Sequence, residues 1–156
     1  MGDYLSLALL GALALLLVSA GIEDVRTREI ANWKNALIAL LAPAWWWASG
    51  LGVWPGAAIQ LGVALLVFVV FVGAFALGQM GGGDVKLIGA LALWLPPMPL
   101  MWMLVVMSLA GGALTLVMLA ERWWRPAERP LEIPYGVAIA IAGLLSLHEP
   151  IINQLR

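Results

Sequence analysis

The sequence contains no cysteine and only one histidine, His148. Without thiols there can be no disulfide, no thiolate metal site and no cysteine nucleophile. A single histidine cannot build a histidine-based zinc site. Charge is scarce too: 11% of the 156 residues are Asp, Glu, Lys or Arg, against roughly 25% in an ordinary soluble domain. The formal net charge is −1, so the basic excess that nucleic-acid binding needs is missing. Apolar residues make up 63% of the chain, in long runs between small clusters of charge. This is the composition of a polytopic membrane protein with no room for a sizeable soluble domain. Residues 1–156 therefore read as one membrane-embedded, all-α domain.

The first apolar run ends in Val18-Ser19-Ala20 and has the outline of a secretory signal. No Lys or Arg precedes it, as a signal would require, so it reads as an uncleaved transmembrane helix. At about 20 apolar residues per crossing, the chain divides into six segments: 4–22, 33–48, 55–77, 85–98, 99–120 and 133–147. The fourth is short, and charge argues for its inclusion. Arg26, Arg28 and Lys34 lie between the first and second segments, Lys86 follows the third, and Arg122, Arg125 and Arg129 lie between the fifth and sixth. With six crossings these seven share one side and only Arg156 lies on the other. The positive-inside rule makes the shared side cytoplasmic and places both termini outside, in a plasma (inner) membrane. Trp45-Trp46-Trp47 and Trp54 then fall at the outer interface, where indoles favour the headgroup region.

The acids sort by position. Asp3 and Glu149 are near the outer ends, and Glu121, Glu128 and Glu132 belong to the Arg-rich inner loop. Glu23, Asp24 and Glu29 remain at the inner end of segment one, with Asp84 at the inner end of segment three. Asp84 follows Gly81-Gly82-Gly83, which strips side chains from the backbone and permits close approach. A carboxyl group at the edge of a bilayer is costly and points to function. Two carboxylates a few ångströms apart share one proton; one can act as general base on water while the other polarises a carbonyl. For Asp24 the plain alternative is a cap or a salt bridge to Arg28, four residues on. A different class of function, a proton-coupled transporter or channel subunit, would use the same acids as a relay. It should also place polar groups deeper in the membrane, where the chain offers only Gln60, Thr115 and some serines.

Three stretches resemble the type IV prepilin leader peptidases, members of the GxGD intramembrane aspartyl proteases. Gly81-Gly82-Gly83-Asp84-Val85-Lys86-Leu87 resembles that family's GxGD followed by x-K-L. Asp24-Val25-Arg26-Thr27-Arg28-Glu29-Ile30-Ala31-Asn32 is similar to its Asp, Arg-rich and Ile-Pro-Asn stretch, with Ala31 in place of the usual proline. Ile133-Pro134-Tyr135-Gly136 is similar to the Pro-Tyr-Gly opening of its last helix.

The resemblance implies a six-helix membrane aspartic endopeptidase with Asp24 and Asp84 as catalytic acids. Gly81, Gly83, Lys86, Asn32, Tyr135 and Gly136 would be supporting or substrate-binding residues, and no metal or cofactor would be needed. The implied partners are a prepilin or pseudopilin substrate, membrane lipid and the pilus assembly machinery. With no Cys-x-x-Cys insertion after segment one, the chain resembles the short, peptidase-only enzymes that process Flp or tight-adherence pilins, for which no methyltransferase activity is expected. Archaeal preflagellin peptidases are similar in size and motif. The flexible Gly78–Gly83 stretch is expected to admit the substrate, or to pair with it as a strand.

Overall fold

The computed structural model describes residues 2–124 and 133–147. The helices are α1 (Gly2–Thr27), α2 (Asn32–Ala48), α3 (Ala58–Ala76), α4 (Gly82–Ala92), α5 (Pro97–Trp124) and α6 (Tyr135–Ser146). An irregular helical turn, Val53–Ala57, leads into α3. No strand occurs among the described residues. His148, Glu149, Arg156 and the loop residues Arg125, Glu128, Arg129 and Glu132 lie outside the described residues.

Local chemistry sets the helix ends. At the end of α1 the Thr27 hydroxyl donates back to the Glu23 carbonyl at 3.0 Å, and Arg28 turns the chain with a left-handed φ of 58°. Gly78, with φ 69°, closes α3. Its N–H and that of Gln79 bond the carbonyls of Phe75 and Ala74 at 2.9 and 3.0 Å, satisfying acceptors that the helix leaves open. Downstream of α4, Pro96 and Pro97 have no N–H to continue the ladder, and Pro97 opens α5 at a position suited to proline.

The six helices follow the expected order, but the fourth differs from the expected 85–98. It starts at Gly82 and stops at Ala92, because the Trp94 N–H turns back to the Leu91 carbonyl at 2.9 Å before the proline pair. Eleven residues rise only about 16 Å, short of a hydrocarbon core about 30 Å thick. Among the described residues three helices are long and apolar enough to cross a membrane, over Tyr4–Thr27, Val53–Ala76 and Pro97–Trp124; Tyr135–Ser146 is a shorter apolar helix. The short α4 is the core instead. Val85, Leu87, Ile88 and Leu91 are buried as α4 packs against α2, α3 and α6. On the outside, α3 exposes Leu65, Leu66, Val69 and Val70, and α5 exposes Leu109, Leu116 and Val117. Such a surface suits hydrocarbon rather than water.

Pairwise contacts fix the directions. A Cβ on Gly82 would stand 3.4 Å from the Phe75 ring, and one on Gly89 2.7 Å from the Phe68 ring. Gln60 Nε2 donates to the carbonyl of Ala92, so α3 and α4 are antiparallel. Asn35 bonds Gly83 and Trp46 bonds Leu93, so α2 runs parallel to α4. Gly21 faces Ala140, and Leu17 faces Gly143, making α1 and α6 antiparallel. The C-terminal end of α1 and the N-terminal ends of α2, α4 and α6 therefore meet at one end of the bundle. Arg26, Arg28, Lys34 and Lys86 sit at that same end, and α5 runs beyond it toward Arg122.

Candidate active site

Asp24 lies in the last turns of α1 and is 4% exposed. Its Oδ2 accepts the N–H of Val137 at 3.2 Å. Val137 is the third residue of α6, in the first turn where helix N–H groups lack an i−4 partner, and its N–H is shared with the Pro134 carbonyl, also at 3.2 Å. The N-terminus of one helix thus receives a carboxylate from another, an arrangement favoured by the helix dipole. Gly136 makes the approach possible: a Cβ there would stand 2.8 Å from both Cγ and Oδ2 of Asp24. Of the anticipated alternatives, no salt bridge joins Asp24 to Arg28 among the described residues, but Asp24 does act as a cap, on the start of α6. The ion pair at this end joins Lys34 Nζ and Glu23 Oε2 at 2.8 Å.

Asp84 is the third residue of α4 and is 8% exposed. Gly81 before the helix is extended, with φ −71° and ψ 146°. The Asp84 carboxylate folds back over it, Oδ2 lying 3.0 Å from where a Gly81 Cβ would stand. An acid at this helix position commonly reaches back toward the residue preceding the helix. Asp24 and Asp84, sixty residues apart in sequence, thus lie at the same end of the bundle, Asp24 against Gly136 and Asp84 against Gly81.

Ile30, 6% exposed, sits between the two motif glycines. Its Cβ and N would each lie 3.3 Å from a Cβ on Gly83, and its Cδ1 2.8 Å from one on Gly136. Gly83 and Gly136 thus admit one common side chain, beside the two acids. Gly82 and Gly83 are helical, so the expected flexible run from Gly78 to Gly83 is reduced to the turn before Gly82.

The other expected site residues divide. Lys86 Nζ donates to Asn32 Oδ1 at 2.7 Å on the exposed surface, tying α4 to the start of α2. The ring of Tyr135 turns toward α5, where a Cβ on Gly111 would meet its Cε1 at 3.0 Å. Asn35 was not anticipated. It is 4% exposed, its Nδ2 donates to the Gly83 carbonyl at 3.2 Å, and its Oδ1 has no partner. A buried acceptor left in that state costs roughly 1–3 kcal/mol. Ile30 stood inside the Ile-Ala-Asn stretch without an assigned role, and Asn35 carried no signal beyond lying three residues after it. A groove of about 520 Å³ runs between α2, α3 and α4, lined by residues including Lys86, Gly89 and Leu93. Asp84 lies roughly 160° around α4 from Lys86, so its side chain leaves the helix on the opposite face.

A family model described as the type IV leader peptidase family matches residues 2–116. That range includes both aspartates and the glycine run, and it stops before Tyr135 and Gly136. No match is found among curated proteins or among solved structures.

Proposed function

The chain belongs to the type IV leader peptidase family, and on that premise we propose that it is an aspartic endopeptidase that removes the leader of type IV prepilins. Asp24 and Asp84 form the dyad. With one proton between them, the ionised member takes a proton from water as the water attacks the scissile carbonyl. The protonated member donates to that carbonyl oxygen; as the C–N bond breaks, the proton gained from water passes to the leaving amine and the re-forming carboxyl returns its extra proton to the pair, which again holds one. The observation that supports this reading most is the convergence of the two acids at one end of the bundle, each set against a motif glycine.

The substrate is a prepilin with a basic leader followed by an apolar helix. The basic leader stays on the cytoplasmic side for the same reason that Arg26, Arg28, Lys34 and Lys86 do, and the cleaved bond lies at that face of the membrane. Four residues, 28–31, join α1 to α2, which favours the short Flp-type enzymes over those carrying a cysteine-containing insertion there. The test is to give the purified protein, in lipid vesicles, a model prepilin of this design. A single cut at the junction of leader and helix is expected; an intact substrate would overturn the assignment.

A further inference from the structure

We propose that Glu23, the acid beside Asp24, is a positioning residue that latches the α1–α2 loop and so holds the two aspartates in register. The proposal rests on the peptidase reading above. Glu23 Oε2 accepts the N–H of Ala31 at 3.1 Å and pairs with Lys34 Nζ at 2.8 Å. Lys34 is 6% exposed and also donates to the Ser19 carbonyl at 3.2 Å. One carboxylate thus ties the loop and the first turn of α2 to the end of α1. Hydrogen bonds to ionised groups are about twice as strong as neutral ones, and this one acts on the residue next to Ile30. Ile30 is the side chain packed against both Gly83 and Gly136. A loose loop withdraws the wedge that sets the start of α4, with Asp84, against the start of α6, which holds Asp24.

Ala31 gives the latch its test. Its φ of −58° lies within the range fixed by a proline ring. Proline at this position removes the N–H that Glu23 accepts but stiffens the loop by covalent means. The latch and a proline are therefore alternative ways to hold Ile30.

The experiment compares kcat and KM for cleavage of the model prepilin. The pair deletion Glu23→Met with Lys34→Met removes both charges together, so no buried ion is left alone. It should lower kcat about tenfold, because misplaced catalytic groups are costly, with KM unchanged within about twofold. Adding Ala31→Pro should restore kcat to within about threefold of the starting protein. Glu23→Gln keeps an acceptor oxygen and should show the same pattern at smaller amplitude, a two- to threefold loss by the same reasoning that Ala31→Pro reverses. Undiminished kcat in the pair-deleted chain, or in Glu23→Gln if the former does not accumulate, would overturn the proposal. A loss that Ala31→Pro leaves unrepaired would do the same. Failure of the unmodified protein to cleave at all would instead remove the peptidase reading.

Discussion

The two ends of the helix bundle bury different kinds of polar group. At the tryptophan end each named donor reaches a backbone carbonyl. Gln60 Nε2 donates to Ala92 at 2.7 Å and to Leu95 at 2.6 Å, Trp46 Nε1 donates to Leu93 at 2.7 Å, and Trp94 Nε1 to Ile38 at 2.8 Å. Trp45 stacks on Trp94 with ring centroids 5.9 Å apart. That end is a clamp that closes the carbonyls after α4. At the aspartate end two acids are buried, Asn35 keeps an unpartnered oxygen, and Arg28 takes a left-handed backbone conformation. Ser6 Oγ, buried near the start of α1, is unpartnered as well, so what sets the aspartate end apart is its two buried acids, costly groups of the kind that functional sites hold.

Substitutions at the two ends should accordingly differ in kind. The largest effect is expected from the acids: Asp24→Asn and Asp84→Asn should each reduce prepilin cleavage by ~10³-fold or more, while immunoblots of membranes show normal amounts of protein. Next comes Gly136→Ala. Its new methyl group would lie 2.8 Å from the Asp24 carboxylate, and displacing that group should lower kcat on the order of 100-fold. Gln60→Leu, at the clamp, should do the reverse. It leaves the Ala92 and Leu95 carbonyls without their donor, costs roughly 1–3 kcal/mol of stability, and lowers the thermal midpoint in detergent while the folded fraction keeps its kcat. The smallest effect is expected from EDTA, which should leave the cleavage rate unchanged because the acid pair itself activates the water. Strong inhibition reversed by added metal would move the chemistry away from the aspartates.

The acids themselves could be read from the sequence, because charge in so apolar a chain is rare and the basic residues assign a side to each loop. That sorting left Glu23, Asp24, Glu29 and Asp84 at one end, and the family resemblance picked out Asp24 among the first three. The length of α4 could not be read in the same way. Apolar sequence continues through Leu93 to Leu95, and only the turn of Trp94 back to Leu91, ahead of Pro96, shows where the helix stops. The glycines were legible as places of close approach, but what approaches them was not. Of Gly78, Gly81, Gly82 and Gly83, Gly78 alone needs a positive φ. The other three make room for Asp84, Phe75 and Ile30, which is a property of neighbours distant in sequence. Glu23 leaves α1 about 100° around the helix from Asp24, and that direction is what carries it to Ala31 and Lys34. Helical periodicity gives the direction in which a side chain leaves its helix, and only the packing gives what it meets there.

The pH dependence of kcat/KM for prepilin cleavage by the purified protein tests the pairing of Asp24 and Asp84 most directly. At low pH both acids are protonated and there is no base; at high pH both are ionised and there is no acid. With one proton on the pair, both roles are filled. A profile with two limbs and a maximum between them is predicted, and a profile with a single limb would contradict the dyad.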